Sequence, residues 1–166
     1  MSVNVLIEAE GLAEVQVVSF AEGTPARAVL ERVATLSGRS SETALLFVED
    51  EDSPVDIESS RVDETWSRVV HHVHRTGRIA VLVHYNGAQR EHPFSPSTRV
   101  QRVLDWAVGP SGFALDPVIA PEMDLALHGQ TDPLPRDAHI GRYVEHPHSA
   151  LELDLIRGVV ANGSPA

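Results

Sequence analysis

Phe20-Ala-Glu-Gly-Thr-Pro-Ala-Arg-Ala-Val-Leu-Glu-Arg-Val-Ala34 and Phe94-Ser-Pro-Ser-Thr-Arg-Val-Gln-Arg-Val-Leu-Asp-Trp-Ala-Val108 overlie without a gap. Phe20 falls on Phe94, Thr24 on Thr98, and Val29-Leu30 on Val103-Leu104. The apolar set Ala26, Val29, Leu30, Val33, Ala34 matches Val100, Val103, Leu104, Ala107, Val108. Both sets follow i, i+3, i+4, i+7, i+8, one face of an amphipathic helix. Thr24 before Pro25 reads as a cap followed by a first-turn proline. Thr98 with Gln101 reads as a capping box. Gly38 and Gly109-Pro110 are the expected stops.

Working outward, each helix is preceded by a hairpin. Val3, Val5, Ile7 and Ala9 alternate, turn at Glu10-Gly11, and return near Val15 to Phe20. Ile79, Val81, Val83 and Tyr85 alternate, turn at Asn86-Gly87, and return over Glu91 to Ser95. Asn-Gly between alternating runs is a strong hairpin signal. After the helices come short apolar runs, Ala44 to Val48 and Met123 to Leu127. Closing strands follow at Val69 to Arg75 and Leu151 to Ile156. A hairpin alone is marginal, so each helix must cover one face of its sheet. The order implies an α+β chain of two tandem β-grasp domains, 1–76 and 77–158, with Arg75-Thr76-Gly77 as a short linker. The acidic stretch Glu49 to Asp52 reads as a solvated loop.

Composition bounds the function. The 166 residues carry a formal charge of -11, which argues against nucleic acid and against anionic membrane surfaces. The absence of Cys excludes disulfides, thiolate catalysis and a thioester carried on the chain itself. Met1 to Glu10 has no signal-peptide pattern and no apolar run approaches membrane-spanning length, so the expectation is a soluble cytoplasmic protein. All 13 basic residues are Arg and none is Lys. Genomic base composition explains such a bias as readily as selection does. Either way, no side-chain amine is present to accept an acyl group.

The last strand, Leu151-Glu-Leu-Asp-Leu-Ile-Arg-Gly158, is followed by Val159 and a short polar stretch ending in Pro165-Ala166. This is the pattern of a precursor from which a protease exposes a glycine carboxylate at Gly158, removing 159–166. The bland alternative is a strand that happens to end at Arg-Gly. His71, His72 and His74 raise a metal reading, with His72 and His74 on one strand face. No third ligand stands at a suitable spacing, so a polar strand face is expected and no metal site. Leu125, Leu127 and Leu151 form either an apolar patch for a partner or part of the core, because alternate strand residues do each job. Trp106 lies just off the buried helix face, fit to pack or to meet a partner. Trp66 receives no role.

The second half resembles ubiquitin. Leu125-Ala-Leu-His-Gly-Gln-Thr-Asp-Pro-Leu134 is similar to its third strand and turn, Asp137 to Tyr143 to its short helical turn, and Leu151 to Gly158 to its last strand and Arg-Gly end. The likeness covers about residues 78 to 158, and a weaker version residues 2 to 76. Tandem units with one conjugatable end resemble the vertebrate interferon-induced double-ubiquitin modifier, and more closely the BilA family of bacterial antiphage (Bil) conjugation systems. That resemblance implies a modifier that is not an enzyme and needs no cofactor. Its partners would be an E1-like activating enzyme, an E2-like conjugating enzyme, a JAB-type metalloprotease and a target such as a phage structural protein. It makes Gly158 the acyl end, Arg157 its recognition residue and Gly158–Val159 the processed bond. The chain departs from ubiquitin in ending Arg-Gly-Val rather than Gly-Gly. The competing readings are a tandem β-grasp scaffold that is never conjugated and, further off, a sulfur carrier.

Overall fold

The computed structural model describes residues 1–158. In the first half, β1 (Ser2–Ala9) and β2 (Gln16–Ala21) pair antiparallel in register from Ser2 with Ala21 to Ile7 with Gln16. The helix α1 (Ala26–Ser37) follows, then β3 (Leu45–Val48) and β4 (Val70–His74). β4 lies parallel to β1 and antiparallel to β3, giving the order β2-β1-β4-β3. The second half repeats the plan. β5 (Ile79–Tyr85) and β6 (Ala88–Phe94) precede α2 (Val100–Val108), β7 (Met123–Leu127) and β8 (Ala150–Arg157), in the order β6-β5-β8-β7. Two four-stranded mixed sheets, each with one helix, make two tandem β-grasp folds of α+β class.

The helical periodicity sets the buried faces. Ala26, Val29, Leu30, Val33 and Ala34 are buried on α1, and Val100, Val103, Leu104 and Ala107 on α2, while Val108, expected on the same face, is half-buried. Gly38 closes α1 at φ 69°, the left-handed conformation a glycine adopts without steric cost. Asn86 and Gly87 both have positive φ, 49° and 78°, as a two-residue hairpin requires. The capping readings need correction. No side-chain cap bond forms at either helix start. Thr24 bonds instead to the Ala21 carbonyl, Thr98 is buried against Ser95, and Gln101 donates to Asp105 one helical turn on.

By residue contacts the chain divides into two compact units. The first comprises Met1–Ile79 with Phe94–Thr98 and His139–Ser149. The second comprises Ala80–Pro93, Arg99–Ala138 and the described residues from Ala150 onward. The second unit is built on Val81, Val83, Val103, Leu104, Leu125, Leu153 and Leu155. Leu153, central on β8 and fully buried, is the test of that core. Leu153→Ala is expected to cost about 2–5 kcal/mol of unfolding free energy, read from urea transitions.

In the first unit, His71, His72 and His74 overturn the expectation of a polar strand face, since each is at most 1% exposed. His71 stacks on Trp66 with centroids 4.5 Å apart, which gives that tryptophan its place. Burial lowers the His71 pKa to about 4. His74 is satisfied as the neutral ring. Its Nε2–H donates to the Val144 carbonyl at 2.7 Å, and its Nδ1 accepts the Thr76 N–H at 2.8 Å. Burial lowers its pKa too, and lowers that of His72 strongly. The expected linker is correspondingly ordered: Thr76 is buried and donates to the His148 carbonyl at 3.0 Å.

Two carboxylates are buried beside these rings. Glu8 takes Arg142 Nε at 3.1 Å and Nη2 at 2.9 Å. Glu10 takes Arg75 Nε at 2.8 Å and Nη2 at 2.9 Å, plus the His146 N–H at 2.6 Å. Burial opposes the Glu10 charge, but these donors outweigh it and hold its pKa at about 2. The acidic stretch is also more than a solvated loop. Glu49 accepts from His139 Nε2 at 2.9 Å, and the Asp50 N–H donates to the Ser97 carbonyl at 3.1 Å.

Candidate functional site

β8 is an inner strand of its sheet, parallel to β5 and antiparallel to β7, so its carboxyl end emerges at a defined place. Met123 pairs with Arg157, the last register position. One residue on, the Gly158 N–H donates to the Glu122 carbonyl at 2.7 Å. Arg157 forms an exposed ion pair with the Glu122 carboxylate, which raises the guanidinium pKa further. A Cβ on residue 158 would lie 2.3 Å from Asp124 Oδ2 and 3.2 Å from the Glu122 carbonyl. Asp124 is itself held by Arg136 Nε at 2.9 Å. The absence of a side chain at 158 is what lets this carboxylate lie against the chain. Sequence reading singled out Arg157 and Gly158 and passed over Glu122 and Asp124, whose only signal is their position at the start of the strand pairing with β8.

An open groove of about 520 Å³ runs beside this end, lined by Tyr85, Asn86, Gly87, Ile119, Met123 and Arg157 among others. Ile119 and its neighbour Val118 are exposed apolar residues. The strand end therefore lies next to a surface with both charged and apolar groups.

The expected partner patch is placed differently. Leu125 (1% exposed) and Leu151 (6%) are core, because odd-numbered residues of β7 and β8 point to the buried side. Leu127, opposite Leu153 at the end of β7, is half-buried. Trp106 is half-buried on α2, its ring centroid 5.6 Å from that of His92. Val159 lies outside the described residues.

The even-numbered residues form the other face of the sheet, and its centre is polar. His84 Nε2 lies 3.0 Å from Glu152 Oε2, and His128 Nδ1 lies 2.7 Å from Asp154 Oδ1. The Gly129 N–H donates to Asp154 Oδ2 at 2.9 Å. The Asp154 hydrogen bond raises the His128 pKa. Burial opposes the Asp154 charge, yet the bonds from His128 and Gly129 lower its pKa on balance. Among the described residues, His84, His128 and Glu152 make one of two groups with metal-ligand geometry; Glu8, His72 and His139 make the other. In the buried group His72 Nδ1 and His139 Nδ1 are 3.0 Å apart, a hydrogen bond between the rings. His139 Nε2 is engaged by Glu49 and Glu8 by Arg142, so most of that group is tied into a hydrogen-bond network, with His72 Nε2 buried and unpartnered among the described residues.

Residues 80–158 match the family described as BilA ubiquitin-like domain 2. The matched segment ends on Gly158. No curated protein matches the chain. With two β-grasp folds in tandem and the second of them recognised in this way, the chain is a BilA-like ubiquitin-like protein.

Proposed function

We propose that this chain is a ubiquitin-like protein modifier that acts as an acyl donor through Gly158. Residues 1–76 serve as a recognition and spacing unit, and residues 77–158 carry the reactive end. The observation that carries the reading is that β8 ends at Arg157 and the BilA-type match ends one residue later, at Gly158. A JAB-type metalloprotease hydrolyses the Gly158–Val159 amide and leaves a free carboxylate. An E1-like enzyme adenylates that carboxylate with ATP, releasing pyrophosphate, and an enzyme cysteine displaces AMP to form a thioester. The acyl group passes to an E2-like cysteine, and an amine on the target attacks it, releasing the thiol. The catalytic groups belong to the partners. The target amine is one of another protein, in a bacterial cell under phage attack.

The strand end must leave the sheet to enter such active sites. That step breaks one backbone hydrogen bond, from Gly158 to Glu122, at a net cost of about 1 kcal/mol. The Arg157–Glu122 pair is solvent-exposed and screened by salt, so it adds little. Arg157 then presents a planar fork of donors to a carboxylate on the partner.

Incubation with the cognate JAB-type protease, followed by intact mass measurement, tests the reading. The expected product ends at Gly158. An unchanged mass, under conditions where the protease cleaves a control substrate, points instead to a tandem scaffold that is never conjugated.

A further inference from the structure

We propose that the open face of the second sheet carries a binding site for a divalent transition-metal ion of the zinc class, built from His84 Nε2, His128 Nε2 and Glu152 Oε2. The three residues come from β5, the turn after β7, and β8, and one ligand atom of each lies within 4.8 Å of the others. Two of the separations are 3.0 Å (His84 to Glu152) and 3.8 Å (His128 to Glu152). These bracket the roughly 3.3 Å donor–donor edge of a tetrahedron with metal–ligand bonds of about 2.0–2.1 Å. Closing the site requires movement of three side chains only, His84 half-buried and His128 and Glu152 exposed. Two imidazoles and one carboxylate also form a donor set that suits zinc, with a fourth position left open.

The geometry around His128 separates this site from an ordinary surface ion pair. Asp154 Oδ1 accepts from His128 Nδ1 at 2.7 Å, and Asp154 is itself fixed by the Gly129 N–H at 2.9 Å. Held through Nδ1 in this way, His128 presents its Nε2 towards the Glu152 carboxylate, 3.8 Å away. A carboxylate behind a histidine in this way is the arrangement that orients metal-binding imidazoles and raises their basicity. The rings of His84 and His128 are stacked, with centroids 4.4 Å apart.

The site is independent of conjugation, so its test uses the full chain and metal alone. Titration with Zn²⁺ by calorimetry is expected to give one saturable site, and Co²⁺ to give visible absorption bands of a nitrogen-ligated ion. His84→Ala and His128→Ala should each abolish that site. Asp154→Asn, which removes no ligand, should weaken binding about 10- to 100-fold. All three positions are at least partly exposed, so circular dichroism should be unchanged. His139→Ala should leave the titration intact, which separates this site from the buried histidine group. The proposal is overturned if the wild type shows no saturable binding, or if His84→Ala and His128→Ala bind Zn²⁺ as the wild type does.

Discussion

Gly158→Glu is expected to eliminate the covalent adducts that the proposed acyl-donor role requires, while leaving the fold intact. Strand register in the second sheet extends only to Arg157, and residue 158 is tied by a single backbone bond. Its substitution removes no core contact. Any Cβ at 158 arrives 2.3 Å from Asp124 Oδ2, the end of a side chain held by Arg136. A glutamate there also brings a third carboxylate beside Glu122 and Asp124. The Asp124 side chain or the strand end must then shift, and the chain carries a bulky charged group where the active site of the proposed E1-like partner must admit the acyl carbon. In a reconstituted reaction with the protease and the E1- and E2-like enzymes, high-mass bands seen with the wild type should disappear. The thermal midpoint should move by no more than a few degrees, as for a surface substitution. Adducts that persist in this variant would move the acyl end to another residue.

The second large effect is acid lability of the first unit. His71, His72 and His74 are buried neutral, so the unfolded chain binds protons near pH 6.5 that the folded chain refuses. Stability is therefore complete above about pH 6.5 and falls as the pH drops through the window between the unfolded and folded pKa values. For His71, whose folded pKa is about 4, the loss reaches about 3 kcal/mol at the bottom of that window. His72 and His74 add in the same direction. Glu10 extends the decline. Its folded pKa of about 2 gives stability that is present above the ordinary carboxylate range and lost as pH falls from about 4.5 towards 2. Urea unfolding of a Trp106→Phe variant, followed by Trp66 fluorescence at pH 7.5, 5.5 and 4.5, measures this. A midpoint that stays level across the series contradicts it. His71→Phe keeps a ring against Trp66 and should flatten the slope.

Much of this was legible because it depends on local periodicity. The duplicated helix signature gave the buried faces of α1 and α2, and Asn86-Gly87 gave its hairpin. Sequence reading went astray where a side chain's role depends on a distant partner. A strand histidine reads as polar until its neighbours are known, and the partners of His72 and His74 come from His139 and Val144. Glu10 reads as a turn residue until Arg75 is seen to hold it from 65 positions away. Leu125 and Leu151 needed only the parity of their strands. With Val81, Val83 and Leu153 all facing the helix, odd-numbered residues were already committed to the core. The cap expectations failed for a different reason, since Thr24 and Thr98 spend their hydroxyls on the preceding turns.

The bond from Thr76 to the His148 carbonyl, with the nearby His74–Val144 bond, bears on how gene fragments of this protein should be designed. A fragment stopping at residue 76 would lack His139–Ser149 and strand the donors of His74 and Thr76 inside a folded body. Such a piece would tend to precipitate or swell rather than report on a native half. Studies of the first unit are better served by circularly permuted or full-length chains that keep both stretches on one polypeptide.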